Sequence, residues 1–322
     1  MNLLKLLKEK ADYFTTSDED RGIANVVSHI EVAERHYTKG KAGEDFLFND
    51  VIYRSNQAFE GALKEAHRII YGKDKSKVKI FDIESDFEKD NVLKDRVLEL
   101  FRNYRQKWRN ESTHNYQLYF SEQEAFLAIV NISAFVNILF DEMLEKRAFN
   151  KEVSEIEAGK TIDFEFKKEY SLLEKSIFLL ENFSLQVPEK TRGVAVPKIS
   201  EAELRGYLLA YIQNSAPSIK VYPDYVITTS AIKHRMYVDL LLEDNREKLI
   251  IEIKSATKNT TGTVFNGTDQ LLSYMVASNI KQGILYIPTL RDTEKLEMTE
   301  VTRQIGDKEY KVIQLLPRRK RK

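Results

Sequence analysis

YVDLLL at residues 237–242 and LIIEIK at residues 249–254 are two apolar runs that a short polar stretch separates. Branched apolar residues on both sides of a tight polar turn predict two β-strands that pair as a hairpin. Side chains alternate between the two faces of a strand, so Glu252 and Lys254 share one face. Asp239 lies near the middle of the first strand and can lie alongside that pair. The hairpin therefore predicts two acids and a lysine on one face of a sheet.

Three polar groups on apolar strands are costly to bury unless something compensates them. A divalent cation would do so, because the carboxylates of Asp239 and Glu252 and the carbonyl of Ile253 are ligands that Mg²⁺ or Mn²⁺ accepts. Such an ion lowers the pKa of a bound water, and Lys254 can orient that water or offset charge that develops at phosphorus. The alternative is a structural ion pair between Lys254 and one of the acids, which is the commoner arrangement on an arbitrary strand.

The elements around this hairpin predict an α/β or α+β sheet domain with the order αβββαβ, followed by one more strand. They are, in order, a helix at 200–212, strands at 220–229, 236–243 and 248–254, a helix at 267–278, a strand at 282–288 and a last strand near 309–316. Gln270 and Tyr274 are four residues apart and share one face of the second helix. Their polar groups could reach the metal site or a nearby phosphate, or they could mark a surface edge of that helix.

These residues resemble the PD-(D/E)XK nuclease superfamily, in particular the nuclease domain at the N-terminus of type I restriction-enzyme motor subunits. The match is VDLLL, then IIEIKS, then a helix with Gln-x-x-x-Tyr. The resemblance implies a restriction-endonuclease-like domain with a central mixed sheet and magnesium-dependent cleavage of DNA. In the family two acids bind the metal, a lysine is catalytic, and a helix supplies a Gln and a Tyr. Carried over residue by residue, these positions are Asp239, Glu252, Lys254, Gln270 and Tyr274.

Other parts of this region fit the resemblance less closely. Some such nucleases also use a Glu of the first helix, for which SEAELR offers Glu201 or Glu203, and Glu201 is the preferred metal ligand. Pro223-Asp224 has the letters of the superfamily's name but lies about one strand too early, so we interpret it as a turn or the start of a strand. The loop after Lys254 is long and polar, which departs from the family and could form a mobile substrate lip.

Apolar residues at three-to-four spacing predict helices in the first half of the chain. Their ranges are 22–38, 46–71, 91–108 and 125–144, with a polar insert at 73–90. This pattern predicts a four-helix bundle within residues 1–150. Residues 151–195 predict a helical linker, and residues 196–322 hold the sheet domain and a basic tail.

Residues 101–110 carry four positive charges and no acid, with aromatic residues between them. Basic groups bind phosphates and aromatic rings stack on bases, so the segment indicates RNA binding, although a solvated helix face is the commoner cause of such a pattern. His114 can exchange a proton with a ribose 2′-hydroxyl or a leaving oxygen, and Arg109 can bind the phosphate. Otherwise His114 caps a helix and Arg109 is exposed.

Arg109-Asn110-x-x-x-His114 resembles the R-x4-6-H motif of HEPN domains, including the polar residue, Asn110, after the arginine. The resemblance implies metal-independent cleavage of RNA at a site that two protomers form together, each giving one Arg and one His. It therefore implies a homodimer through the helical domain. Other HEPN domains lack activity and only dimerise.

Composition limits the remaining possibilities. The chain has 322 residues, the length of two domains, and no cysteine, which excludes a disulfide scaffold, a thiolate zinc site and a cysteine nucleophile. The lack of cysteine fits a cytoplasmic location, and apolar stretches of about ten residues predict no membrane span. The 50 basic and 50 acidic residues cancel. PRRKRK at 317–322 is nevertheless strongly basic, as either a solvated end or a phosphate-binding arm.

The sequence thus predicts a nuclease with two activities, which cuts DNA with magnesium in one domain and RNA without metal in the other. The resemblances associate such a protein with prokaryotic defence against phage or plasmids. The alternative is a single-activity DNA nuclease whose HEPN-like domain only dimerises and binds nucleic acid. A third possibility, two binding scaffolds, is disfavoured by the intact Asp239, Glu252 and Lys254.

Overall fold

The structure is a computed structural model, and it places most of the chain. It describes residues 2–14, 21–72, 79–90, 93, 95–109, 119–160, 164–167, 169–191, 198–229, 232–255, 260–291 and 294–318. The chain divides into two compact units, residues 1–147 and 148–322. In the described residues the first unit is helical, and the second combines helices with a mixed six-stranded sheet. The protein is therefore of the α plus β class.

Helices form in the first unit where apolar residues recur at three-to-four spacing. In chain order they are α1 (Leu3–Ala11), α2 (Arg21–Lys41), α3 (Leu47–Tyr71), α4 (Ile80–Asp90), α5 (Asp95–Tyr104) and α6 (Glu122–Glu155), which runs on into the second unit. A π-helical turn, Arg105–Arg109, follows α5. The centre of the Phe59 ring lies 4.8 Å from the centre of the Tyr104 ring and 5.4 Å from that of the Phe135 ring, so aromatic packing joins α3, α5 and α6.

Two of these helices, α1 and α4, are missing from the sequence prediction. α4 lies in the predicted polar insert and buries Ile80, Ile83 and Phe87. Acidic residues between these apolar positions conceal the helical spacing. His67 Nε2 on α3 lies 2.9 Å from Asp86 Oδ2 on α4, which links the two helices. The helical unit is therefore larger than the predicted four-helix pattern.

The helix that begins at Glu122 differs from the sequence expectation on membrane spans. Over residues Glu122–Gly159 its length and apolar composition are sufficient to cross a membrane. Most of its apolar stretch is buried inside the structure, and a core helix passes the same test. The helix is therefore only weak evidence for a membrane span.

The second unit is built around the sheet. After a π-helical turn, Ile156–Lys160, its elements are α7 (Leu172–Lys190), α8 (Glu201–Ser215), β1 (Lys220–Thr229), β2 (Ile232–Asp244), β3 (Glu247–Ile253), α9 (Thr260–Ser278), β4 (Gln282–Tyr286), β5 (Lys295–Ile305) and β6 (Lys308–Arg318). The strand order is β1-β2-β3-β4-β6-β5. The strands β3, β4 and β6 are parallel, and the other neighbours are antiparallel.

Helices cover both faces of this sheet. Ile251 and Ile253 of β3 belong to one core cluster together with Phe183 of α7 and residues of α8. Ile250 belongs to a second cluster, together with Met275 of α9. Because side chains alternate along a strand, Glu252 lies on the α9 side of the sheet.

The β2–β3 hairpin is present where the sequence predicts it. Its two turn residues, Asn245 and Arg246, have φ values of 45° and 76°, and positive φ at both positions is what a type I′ hairpin turn requires. Asp244 Oδ2 accepts a hydrogen bond from Lys175 Nζ at 2.7 Å, which joins the turn to α7.

Several parts of the second unit differ from the prediction. α9 begins at Thr260, so residues 260–266, predicted as part of the long polar loop after Lys254, are helical. α7 lies in the predicted linker, yet its Leu179 and Phe183 belong to the core of this unit. β5 is absent from the prediction because most of its side chains are exposed on both faces, so no alternating apolar pattern marks it.

Candidate active site

The candidate site lies where β2 and β3 separate. The ladder between the two strands ends at the pair Leu240 and Ile251, while β3 keeps its pairing with β4 through Ile253. In place of a ladder partner, the Ile253 N–H donates a hydrogen bond of 2.8 Å to Asp239 Oδ2. Since the N–H and C=O of a strand residue point the same way, the Ile253 carbonyl also faces this gap.

Glu252 is the most buried acid of the site. Its residue is 1% exposed, and Oε1 accepts a hydrogen bond from Lys254 Nζ at 2.7 Å. The other oxygen, Oε2, is buried without a hydrogen-bond partner in the described structure. Burial raises the pKa of Glu252 to about 8, and the charges of Asp239 and Glu201 add to the rise while Lys254 opposes it. The site therefore contains a carboxylate that needs a proton or a cation.

Lys254 holds a positive charge among three acids. Burial alone would lower the pKa of its ammonium group, but Glu252, Glu201 and Asp239 outweigh that effect and raise the pKa above its ordinary value. The structure therefore brings Asp239, Glu252 and Lys254 together, with the lysine charged at neutral pH.

The start of α8 adds Glu201 to the site. Ser200 and Glu203 form a capping box, in which Glu203 Oε2 accepts from the Ser200 N–H at 3.0 Å. Glu203 is thus used by the helix terminus, whereas Glu201 Oε2 lies 4.0 Å from Lys254 Nζ. Glu201 Oε1 also accepts a 3.3 Å hydrogen bond from the Ser255 N–H. Of the two acids that the sequence offers, Glu201 is the one beside the lysine.

The helix α9 brings Gln270 and Tyr274 to the same region. Gln270 Nε2 donates to Tyr274 Oη at 2.6 Å. The pKa of Tyr274 is raised, chiefly by burial, and the charges of Glu252 and Asp239 add to the rise. Both side chains are half-buried on α9, the helix that packs on the face of the sheet that carries Glu252.

Gly267, which the sequence analysis did not single out, lets α9 approach the sheet. A Cβ at this position would lie 2.8 Å from Leu285 Cδ1 and 3.5 Å from Lys254 Cγ. Glycine inside a helix costs up to about 1 kcal/mol, so its presence in α9 was a signal that something packs closely there.

Arg205 and Asp224 are two further charged residues at the site. Arg205 Nη1 donates to Asp239 Oδ1 at 3.1 Å and lies 3.8 Å from Asp224 Oδ1. The interpretation of Asp224 as a turn or the start of a strand is wrong, because it lies inside β1. Arg205 follows Glu201 by four residues, and this helical spacing was the available signal that both face the site.

The site offers two carboxylates and one backbone carbonyl as ligands for magnesium, which is fewer than a complete coordination shell. Among the residues that the structure describes, no group of three or more His, Cys, Asp or Glu side chains has the arrangement of a metal site. Magnesium is usually held by one or two carboxylates together with waters and substrate phosphates. Asp239, Glu252 and the Ile253 carbonyl match that requirement, and the unpartnered Glu252 Oε2 is an oxygen that a cation would satisfy.

The predicted RNA-cleaving residues are largely outside the described residues. Asn110 and His114 are both outside the described residues. Of Arg109 only the backbone is described, at the end of the π-helical turn.

No protein-family model matches this sequence, and a search of curated proteins finds no match. The function is therefore inferred from the residues and their geometry.

Proposed function

We propose that the second unit hydrolyses phosphodiester bonds of DNA in a magnesium-dependent reaction, as PD-(D/E)XK nucleases do. The observation that carries this proposal is the convergence of Asp239, Glu252 and Lys254 where β2 and β3 separate, with one buried carboxylate oxygen of Glu252 unpartnered. The order α8, β1-β2-β3, α9, β4 is the order that the resemblance implies. It supports a restriction-endonuclease-like fold for this unit.

The cation would be held by Asp239, Glu252 and the Ile253 carbonyl, with Glu201 at the edge. When bound, Mg²⁺ or Mn²⁺ would acidify a water and offset negative charge on the phosphate. The charged Lys254 ammonium, 2.7 Å from Glu252, is placed to orient the attacking water or to offset charge in the transition state. Tyr274, held by Gln270, would bind a phosphate oxygen beside it.

For the first unit we propose a HEPN-like bundle that cleaves RNA without metal and forms a homodimer. Arg109 would bind the phosphate, His114 would transfer the proton, and Asn110 would hold the substrate beside them. The π-helical turn that ends at Arg109 supports a functional position, because such turns occur often at functional sites. The second candidate function keeps only the DNA nuclease, with the helical unit as a dimerisation and nucleic-acid-binding module.

The biological setting follows from the same resemblances. A two-nuclease protein of the cytoplasm fits prokaryotic defence against phage or plasmids. Activation would come from a partner, from oligomerisation or from the invading nucleic acid.

The DNA-cleaving proposal is tested by incubating the protein with DNA in Mg²⁺ or in EDTA. Asp239→Asn and Lys254→Ala are each expected to abolish cleavage while the circular dichroism spectrum stays that of the wild type. Asp269→Asn, an exposed acid on α9, is the matched control and should cleave normally. Cleavage that persists in both site variants would refute the site.

The RNA-cleaving proposal needs a separate assay in EDTA. His114→Ala is expected to remove cleavage of single-stranded RNA, and His36→Ala, on α2, should keep it. Wild-type protein that leaves RNA intact at concentrations where it is dimeric would favour the single-activity alternative.

A further inference from the structure

Asp239 is held on both sides by donors. Its Oδ2 accepts from the Ile253 N–H at 2.8 Å, and its Oδ1 accepts from Arg205 Nη1 at 3.1 Å. The Arg205 side chain is 11% exposed, so this contact is largely shielded from water. A carboxylate has about four lone-pair positions, so two such bonds fix its orientation and leave room for a cation.

Asp224 lies on the other side of the guanidinium. Its Oδ1 is 3.8 Å from Arg205 Nη1, and its side chain is 16% exposed. Its φ of 47° is in the left-handed region, which is uncommon for a residue other than glycine but more accessible to Asp than to most side chains. The backbone of β1 thus adopts an unusual conformation at the residue that approaches Arg205.

We propose that Arg205 is a positioning residue that sets the Asp239 carboxylate for the cation, and that Asp224 in turn holds Arg205. This inference rests on the proposed cation site. Asp224 lies beside Arg205, Arg205 donates to Asp239, and of the three only Asp239 would touch the ion. A planar guanidinium keeps its charge at all working pH values and offers several fixed donors, which a lysine ammonium does not.

Two other roles for Arg205 make different predictions. A purely structural ion pair would alter stability without altering cation affinity. A counter-charge that competes with the ion would weaken binding, so its removal would tighten binding. A positioning residue does the opposite, because loss of such an outer partner typically costs about 10–100-fold in metal affinity.

The experiment measures Mn²⁺ binding to the full chain by electron paramagnetic resonance, together with urea unfolding in EDTA. For Arg205→Ala we expect the dissociation constant to rise by roughly 10–100-fold, and for Arg205→Lys by less. Asp224→Asn is expected to weaken binding more mildly. The double variant Arg205→Ala/Asp224→Asn should bind like Arg205→Ala alone, since Asp224 acts only through the arginine.

Unchanged or tighter Mn²⁺ binding in folded Arg205→Ala would overturn the inference, as would additive losses in the double variant. If Arg205→Ala fails to fold, Arg205→Lys and Asp224→Asn decide, and wild-type affinity in both would overturn it. Asp239→Asn separates the two proposals. If that variant loses binding while the Arg205 variants keep it, only the positioning role fails; if wild-type protein binds no Mn²⁺, the cation site and the positioning role both fail.

Discussion

The Ile253 N–H donates its hydrogen bond to the Asp239 carboxylate, although the ladder between their strands has already ended at Leu240 and Ile251. The Asp239 side chain of β2 thus takes the place of a backbone carbonyl of β2 as the acceptor for the Ile253 N–H of β3. The separation leaves a gap that an acid enters from one side and the Ile253 carbonyl faces from the other. A regular hairpin would have filled the same space with backbone hydrogen bonds.

The buried carboxyl of Glu252 predicts how stability depends on pH without metal. Its pKa is raised by burial from 4.5 to about 8 in the folded protein. Between these values the folded state binds more protons than the unfolded state, so the free energy of unfolding falls as pH rises through this range. We expect urea unfolding in EDTA to show a loss on the order of a few kcal/mol between pH 5 and 8 that Glu252→Gln removes. Glu243→Gln, on the same hairpin, should keep the wild-type slope.

Magnesium should stabilise the protein more at high pH than at low pH. At pH 6 the Glu252 carboxyl holds a proton that the ion must displace, whereas at pH 8 more of the population is already ionised. A ligand at 100 times its dissociation constant adds about 2.7 kcal/mol to the free energy of unfolding. The check is the melting temperature with Mg²⁺ and with EDTA at both pH values. An equal shift in Glu252→Gln would place the ion elsewhere.

The hairpin and residues 267–278 of α9 could be predicted because their signals are local, whereas the polar start of α9 at 260–266 has no apolar spacing and indicates a loop. Alternating apolar residues mark β2 and β3, a polar turn joins them, and four-residue spacing links Gln270 to Tyr274. The end of the ladder at Leu240 could not be predicted, because it depends on the contacts that β2 makes with β1, β3 and α8, and no local pattern records these contacts. The contact of Arg205 with Asp239 depends on where α8 crosses the sheet, which no local pattern records.

Other elements escaped prediction for a different reason. β5 has only partial burial at Leu296 and Val301, so its two faces look alike in sequence. Asp224 lies beside a proline, which normally indicates a turn or a strand edge, and its position inside β1 needs a left-handed backbone. The contact of Asp224 with Arg205 involves residues about twenty positions apart, whereas β5 is held by β6, the next strand in the chain, across the turn at Gly306 and Asp307.

Gly267→Ala should weaken the site by moving α9. The new methyl group would lie 2.8 Å from Leu285 Cδ1, so the helix or the leucine must shift. Overpacking costs about 1–3 kcal/mol, which exceeds the gain of up to about 1 kcal/mol from removing a helical glycine. We expect a net loss of stability by urea unfolding and slower DNA cleavage. Asp269→Ala, at an exposed position of the same helix, should cause neither.

Outside the site, Lys190 is the buried cation of the second unit whose replacement we expect to lower the free energy of unfolding most. Its ammonium pairs with Glu152, and both side chains are at most 4% exposed. Burial raises the pKa of Glu152, and Lys190 opposes that rise. Lys190→Met would leave the acid buried without its cation, which costs roughly 3–5 kcal/mol. Urea unfolding should show this loss at pH 8, and Lys190→Met/Glu152→Leu should recover most of it.

The basic residues 319–322 provide a final prediction about nucleic-acid binding. Pro317 and Arg318 of the predicted tail belong to β6, which is paired with β5 up to Arg318, so removing 319–322 leaves the sheet complete. Each phosphate contact contributes a slope of about −0.9 to the dependence of log affinity on log salt for duplex DNA. If the tail binds phosphates, replacing these residues by four glutamines should weaken binding and reduce the slope by roughly 2–4, whereas four lysines should preserve both. Fluorescence anisotropy with a labelled duplex in EDTA at several salt concentrations measures this without cleavage. Equal slopes for the glutamine and lysine tails would make the tail a solvated end.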